Sequence, residues 1–169
     1  MPRAVLSSLC AAVLFAAAPA AGAAADAEER RNWFGDPFAQ ATHGLPGCPP
    51  PLGPLITEAQ MRREAHGRIE RGTSCWLAGR CAEPNAYARD HEINAEVARQ
   101  LAAMPHLRDT QLWVITQRRF VFLQGCVRSR AQIEAAVTRV RALPGVDYVS
   151  DELMVGTRGR PPYETAPAR

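Results

Sequence analysis

Five cysteines, four histidines and a scatter of serines and carboxylates are the residues with the chemistry to hold a metal, exchange electrons or attack a substrate. Zinc needs ligand pairs at short spacing. Cys75 and Cys81 have five residues between them, and His66 and His91 are not placed as a second pair. His91-Glu92 is half of a helical metal motif, but no histidine follows four residues on. His43 and His106 sit beside Gly or Pro in loop-like sequence. Dithiol exchange favours C-x-x-C, which is absent. No G-x-S-x-G occurs, Cys126 has no flanking histidine, and Ser129 is explained as a helix cap. Asp151 and Glu152 are adjacent on a strand, so they point to opposite faces and make no acid–base pair. There is no glycine-rich phosphate loop. The expectation is a protein that is not an enzyme, with no metal and no cofactor.

Disulfide formation is the chemistry that remains. Residues 1–25, MPRAVLSSLCAAVLFAAAPAAGAAA, carry Arg3, an apolar stretch from Ala4 to Ala18 and small residues before Asp26. That is the pattern of a secretory signal peptide cleaved near Ala25, and Cys10 would leave with it. The apolar stretch is short for a membrane span, and no later segment resembles one, so no transmembrane segment is expected in the mature chain. Four cysteines remain: Cys48, Cys75, Cys81 and Cys126. An even number in an exported chain reads as a disulfide framework, with three connectivities open. The expected compartment is a bacterial periplasm. Without Arg3 the chain has 19 Arg against 17 acidic residues, a net charge of +2 and no lysine. That is too little positive charge for a nucleic-acid partner.

The elements that must position these residues fall into two unequal parts. In the extension, 26–89, GLPGCPPPLGP (44–54) reads as a connector stiffened by proline. WFGDPF (33–38) is an aromatic cluster expected to dock. Thr57 and Gln60 have capping-box spacing for a helix over about 57–71, with a thin stripe of Met61, Ala65 and Ile69 and a stop at Gly72. The segment 71–85 reads as a loop holding Cys75 and Cys81. From Asp90 the pattern sharpens. Asp90 can cap a helix with Ile93, Val97, Leu101 and Met104 on one face, ended by Pro105. Strand patterns follow at 110–116 and 119–127, joined by a turn at Gln117-Arg118. Ser129 and Gln132 cap the next helix, whose buried face carries Ile133, Val137 and Val140. A last strand lies within 146–156, and residues 157–169 read as a disordered tail.

The order helix, strand, strand, helix, strand resembles the BON domain family, small modules of exported bacterial proteins. The resemblance rests on Asp90 with Ile93, Val97 and Leu101, on VFLQGCV (121–127), on LPGVDYV (143–149), and on Leu153 and Val155. It covers residues 90–156 and implies an α+β fold: a three-stranded sheet with two helices on one face. The helical extension precedes it. Val121, Leu123 and Val127 then face the helices, and Gly125 stands in that row to admit a helix backbone or to let the strand bend. The far face carries Trp113, Ile115, Phe120, Phe122 and Cys126, an apolar area large enough to mark a contact.

We expect the extension to cover that face, pinned by a disulfide from Cys126 to Cys48, Cys75 or Cys81. Closing a loop of about 50–80 residues adds roughly 3–4.5 kcal/mol by the chain-entropy argument. If Cys75 and Cys81 bridge locally, eased by Gly79, Cys48–Cys126 is the remaining pair. The rival reading leaves the face open for a partner. What the family implies is binding to phospholipid or envelope proteins. The expected function is a non-enzymatic periplasmic binding protein that contacts anionic phospholipid through Arg118 and Arg119, with Arg128 and Arg130 extending the rim, in support of envelope integrity. The alternative is a protein-interaction or assembly module using the face around Trp113, Phe120 and Phe122.

Overall fold

The computed structural model describes residues 28–167, so the apolar leader over 1–25 lies outside the described residues. At the centre, β4 (Gln111–Gln117) and β5 (Phe120–Val127) form an antiparallel hairpin, with Gln111 opposite Cys126 and Gln117 opposite Phe120. β5 pairs in parallel with β6 (Tyr148–Val155), reached through α4 (Arg130–Arg141). α3 (Asp90–Ala102) precedes the hairpin, and a 3-10 turn at Pro105–Leu107 leads into β4. The α+β class is as expected. The three-stranded sheet is not: β2 (Phe38–His43), from the extension, pairs antiparallel with β4, and the order is β2-β4-β5-β6. Without β2 the open edge of β4 would leave a row of peptide groups unpaired. FAQATH mixes alanine with polar residues, and its register shifts between Gln40 and Thr42, so its alternation is too broken to read as a strand.

Alternation along β4 and β5 divides the molecule. Leu112, Val114, Val121, Leu123 and Val127 bury with Ile93, Val97 and Leu101 of α3 and Val137 and Val140 of α4 in one core. Both helices therefore lie on one face of the sheet. Asn94, buried in α3, donates from Nδ2 to Val114 O and Thr116 Oγ1 at 3.1 Å each and to Pro37 O at 3.3 Å, which ties the helix to β4 and the residue before β2. Gly125 does something other than expected. A Cβ built on it would lie 2.0 Å from Gln111 O and 3.1 Å from Leu112 Cα. The backbone it admits is that of β4, not of a helix.

Capping boxes at Thr57 with Gln60 and at Ser129 with Gln132 start α1 (Glu58–Gly72) and α4. The thin apolar stripe does not bury α1, none of whose residues is buried. Arg68 holds it instead. Its guanidinium donates to both oxygens of buried Asp36, at 2.6 and 3.0 Å, and lies over the Phe34 ring at 4.1 Å and the Tyr87 ring at 4.4 Å. Such a bidentate, aromatic-sandwiched arginine substitutes for an apolar stripe. A two-stranded ribbon of β1 (Arg30–Arg31) and β3 (Ile56–Thr57) leads into the helix. The expected loop after α1 contains the short helix α2 (Ser74–Leu77).

The carboxyl-terminal residues are not the loose tail expected for 157–169. Residues 163–166 run back against the proline-rich segment. Leu52 N donates to Glu164 O at 2.8 Å, Ala166 N to Pro50 O at 2.9 Å and Tyr163 Oη to Pro49 O at 2.7 Å. Tyr163 is buried, and burial pushes its phenol up to about 12. Prolines cannot donate, but their carbonyls accept, so a segment that reads as a connector becomes a docking strip.

Candidate functional site

The far face of the sheet is covered. Cys48 is bonded to Cys126 with Sγ atoms 2.04 Å apart, and Cys75 to Cys81 at 2.03 Å. Cys126, Cys48, Leu45 and Trp113 form a second, smaller core, with Met154 packed against it. Trp113 and Ile115 are 7% and 8% exposed. They are therefore not the open contact surface that the rival reading required. Phe120 and Phe122 are half-buried in a cleft of about 230 Å³ whose opposite wall carries Glu64, Arg68 and Arg71 of α1. Phe120 also stacks against Tyr148, with ring centroids 5.5 Å apart.

The arginine rim is corrected as well. The β4–β5 turn is Arg118-Arg119, not Gln117-Arg118, and both turn residues have positive φ, 54° and 65°. Two-residue hairpin turns of this kind favour Asn-Gly, so two arginines need a separate restraint. Asp90 provides it: its carboxylate accepts the backbone N–H of Arg118 at 2.6 Å and of Arg119 at 2.8 Å. Asp90 is the first residue of α3 rather than its cap, since Arg89 occupies the cap position. Desolvation raises the Asp90 pKa above the usual carboxylate value, against the lowering effect of the two backbone donors. The two side chains then diverge. Arg118 lies over the Phe120 ring at 4.6 Å. Arg119 turns inward, 12% exposed, with Nε 3.4 Å from Asp147. Arg128 pairs with Asp109 at 2.9 Å. It lies at the far end of β5, and the eight residues of that strand separate it from Arg119 by roughly 30 Å. These arginines do not form one rim.

What stands out instead lies in the extension. Ile69, near the end of α1, is 77% exposed, and Trp76 and Leu77 of α2 are 48% and 73% exposed. The Cys75–Cys81 bridge closes the turn that carries Trp76 and Leu77. A four-residue helix running into a disulfide loop with five residues between its cysteines cannot fold its large apolar side chains under itself. Arg71 and Arg80 flank this segment, both exposed. Behind it, a cavity of about 410 Å³ is lined by Cys75, Arg80, Cys81, Arg89, Arg119 and Gly145, among others. Among the described residues no group of three His, Cys, Asp or Glu side chains is placed to hold a metal ion. None of the described helices is long and apolar enough to cross a membrane.

Trp76 and Leu77 were missed as candidates because CWLAGRC was read for its cysteines alone. The signal was present: two large apolar residues inside a tight stapled loop have no core to enter. Arg80 and Arg89 gave no such signal, because only the folded chain brings them to Arg119.

Residues 89–157 match the family model of the BON domain, one residue beyond each end of the 90–156 expected from the resemblance. The chain is also similar to Osmotically-inducible protein Y of Escherichia coli (strain K12), 29% identical over 109 residues. That match covers 62% of this chain and 54% of the relative, so the chain spans about half the length of that protein. No solved structure matches.

Proposed function

We propose that the protein is a non-enzymatic, exported binding protein of the bacterial cell envelope that contacts anionic phospholipid surfaces and supports envelope integrity under osmotic stress. The match to the BON domain over 89–157 and the similarity to a protein named for osmotic induction support the setting. Two disulfides fit an oxidising compartment, and with the apolar leader they support the periplasmic reading.

One observation carries the lipid reading: the exposed Trp76 and Leu77 on a stapled turn, with Arg71 and Arg80 on either side. Tryptophan and leucine partition into the headgroup boundary, and arginines beside them meet lipid phosphates at on the order of 1 kcal/mol each near an anionic surface. Ile69, 77% exposed near the end of α1, adds to the same apolar surface. The test is vesicle co-sedimentation at low salt with phosphatidylglycerol and with phosphatidylcholine vesicles. Binding is expected to the anionic vesicles, with a blue shift of Trp76 fluorescence. Trp76→Ala with Leu77→Ala should abolish pelleting with only a small change in the unfolding midpoint, because both side chains are exposed and neither belongs to a core. Equal pelleting of the double variant and the parent would sink the reading.

A further inference from the structure

We propose that the cavity between Arg80, Arg89 and Arg119 is a binding site for a phosphate-bearing anion, either a lipid headgroup or a soluble phosphate ester. The headgroup source rests on the lipid reading above; the anion site does not.

The inward-turned Arg119 is the central observation. Its Nε is shielded from solvent and has no hydrogen-bond partner, and its one ionic neighbour, Asp147, lies at 3.4 Å. Among the described residues its side chain donates no hydrogen bond to protein. A guanidinium offers five N–H donors in a planar fork; here the shielded Nε lacks a hydrogen-bond partner, which is costly, and the Nη donors are left free for a ligand. The fork faces the cavity. A Cβ on Gly145, which also lines it, would stand 4.0 Å from Arg119 Nη2. Arg80 and Arg89 enter from the opposite wall, carried by the stapled loop and by the start of α3. Three carboxylates temper the charge. Asp147 meets Arg80 at 3.0 Å, Glu92 accepts from Arg89 Nε at 2.9 Å, and Glu83 lines the cavity. Asp147 and Glu92 are not among the lining residues. Asp147 and Glu92 thus orient Arg80 and Arg89 from outside the cavity, and Glu83 is the one carboxylate on its lining.

A tetrahedral oxyanion with several acceptor oxygens suits converging guanidinium groups better than a single carboxylate does. The position is apt for a membrane ligand, because Trp76 and Leu77 leave the same stapled loop that forms one wall. The site also spans two sequence regions: Arg80 belongs to the extension, whereas Arg89 and Arg119 belong to the BON-matching residues.

The test titrates the oxidised full chain with inorganic phosphate and with glycerol 3-phosphate, followed by backbone and arginine side-chain NMR shifts, against sodium chloride at matched ionic strength. Saturable shifts at Arg80, Arg89, Arg119 and Gly145 are expected. Arg119→Gln should weaken phosphate binding roughly tenfold or more. Arg80→Gln and Arg89→Gln, on exposed side chains, should each weaken it severalfold with the fold intact, which guards against a misfolded Arg119→Gln. Shifts no larger than those with chloride would overturn the site, as would unchanged affinity in a folded Arg80→Gln, Arg89→Gln double variant. Vesicle binding lost in Arg89→Gln along with phosphate binding places a lipid headgroup in the cavity, since Arg89 lies outside the Trp76–Leu77 turn. Phosphate binding lost with vesicle binding retained upholds the site for a soluble ester. The Trp76→Ala, Leu77→Ala variant separates the two proposals, since it should lose vesicles and keep phosphate.

Discussion

Gly125 and Asp90 show how single residues decide geometry at this scale. Gly125 has φ +129°, and the peptide of Gln111 occupies the place of a side chain. Gly125→Ala should therefore destabilise the protein by about 2–4 kcal/mol, read as a lower urea midpoint with m unchanged. Asp90 was legible as a helix-start residue, but not as the acceptor that holds two arginines at positive φ. That task depends on a hairpin 28 residues away in sequence. Its raised pKa sets a sign. The folded state binds the Asp90 proton more tightly than the unfolded state, so this contribution to stability is present at low pH. It is lost as pH rises from the ordinary aspartate range through the folded value. Asp90→Asn removes one acceptor and the titration together. The variant should be less stable throughout, with a deficit that widens as pH falls through the carboxylate range. Paired denaturation curves check this, because exposed Glu92 and Glu96, whose pKa values are lowered by Arg89 and Arg99, are common to both proteins. A deficit independent of pH would contradict the assignment.

Elements are held together here by two disulfides of different reach. Cys48–Cys126 spans 78 residues and Cys75–Cys81 spans 6. The chain-entropy argument assigns the first roughly 4.5 kcal/mol and the second roughly 2 kcal/mol, before strain. Cys48→Ala with Cys126→Ala should therefore lower the thermal midpoint more than Cys75→Ala with Cys81→Ala does. The first pair should also red-shift Trp113 fluorescence, since it releases the segment that covers that ring. The opposite ranking would mean that the extension stays in place without its bond. The helices and the hairpin were readable because period and capping are local. β2 was not, because its pairing with β4 is decided by an edge that exists only after the hairpin has formed. α1 was readable as a helix, yet its mode of attachment was not. Nothing in the spacing of Arg68 points to Asp36, 32 residues earlier.

At the level of the whole molecule, the residues that match the BON domain are not closed on their own. The extension adds a sheet edge through β2, a cover through Leu45 and Cys48, and a docking strip for the carboxyl-terminal residues. A fragment of residues 89–157 is expected to expose Trp113, Cys126 and Met154 together with the bare edge of β4. Such a surface binds apolar dye and self-associates. Light scattering and dye binding, compared with the full chain, check this. A monodisperse fragment with no dye binding would show that the extension is dispensable for solubility. Both proposed contact regions, the Trp76–Leu77 turn and the arginine cavity, draw on the extension, so the fragment should also bind neither phosphate nor vesicles.

Periodicity, capping residues and the Gly-flanked strand were enough to establish the order of elements from Asp90 to Gly156. They also assigned which face of β4 and β5 meets the helices, since each is carried by residues close together in the chain. An even set of cysteines was enough to expect bridges. Only the tertiary structure decided that a fourth strand joins the sheet, that Trp113 and Ile115 are covered while Phe120 and Phe122 line a cleft, and that Arg119 turns into a cavity with Arg80 and Arg89. The physical reason is separation: these contacts join residues tens of positions apart, and no local preference encodes which distant partner will satisfy a bare edge, an apolar face or a buried charge.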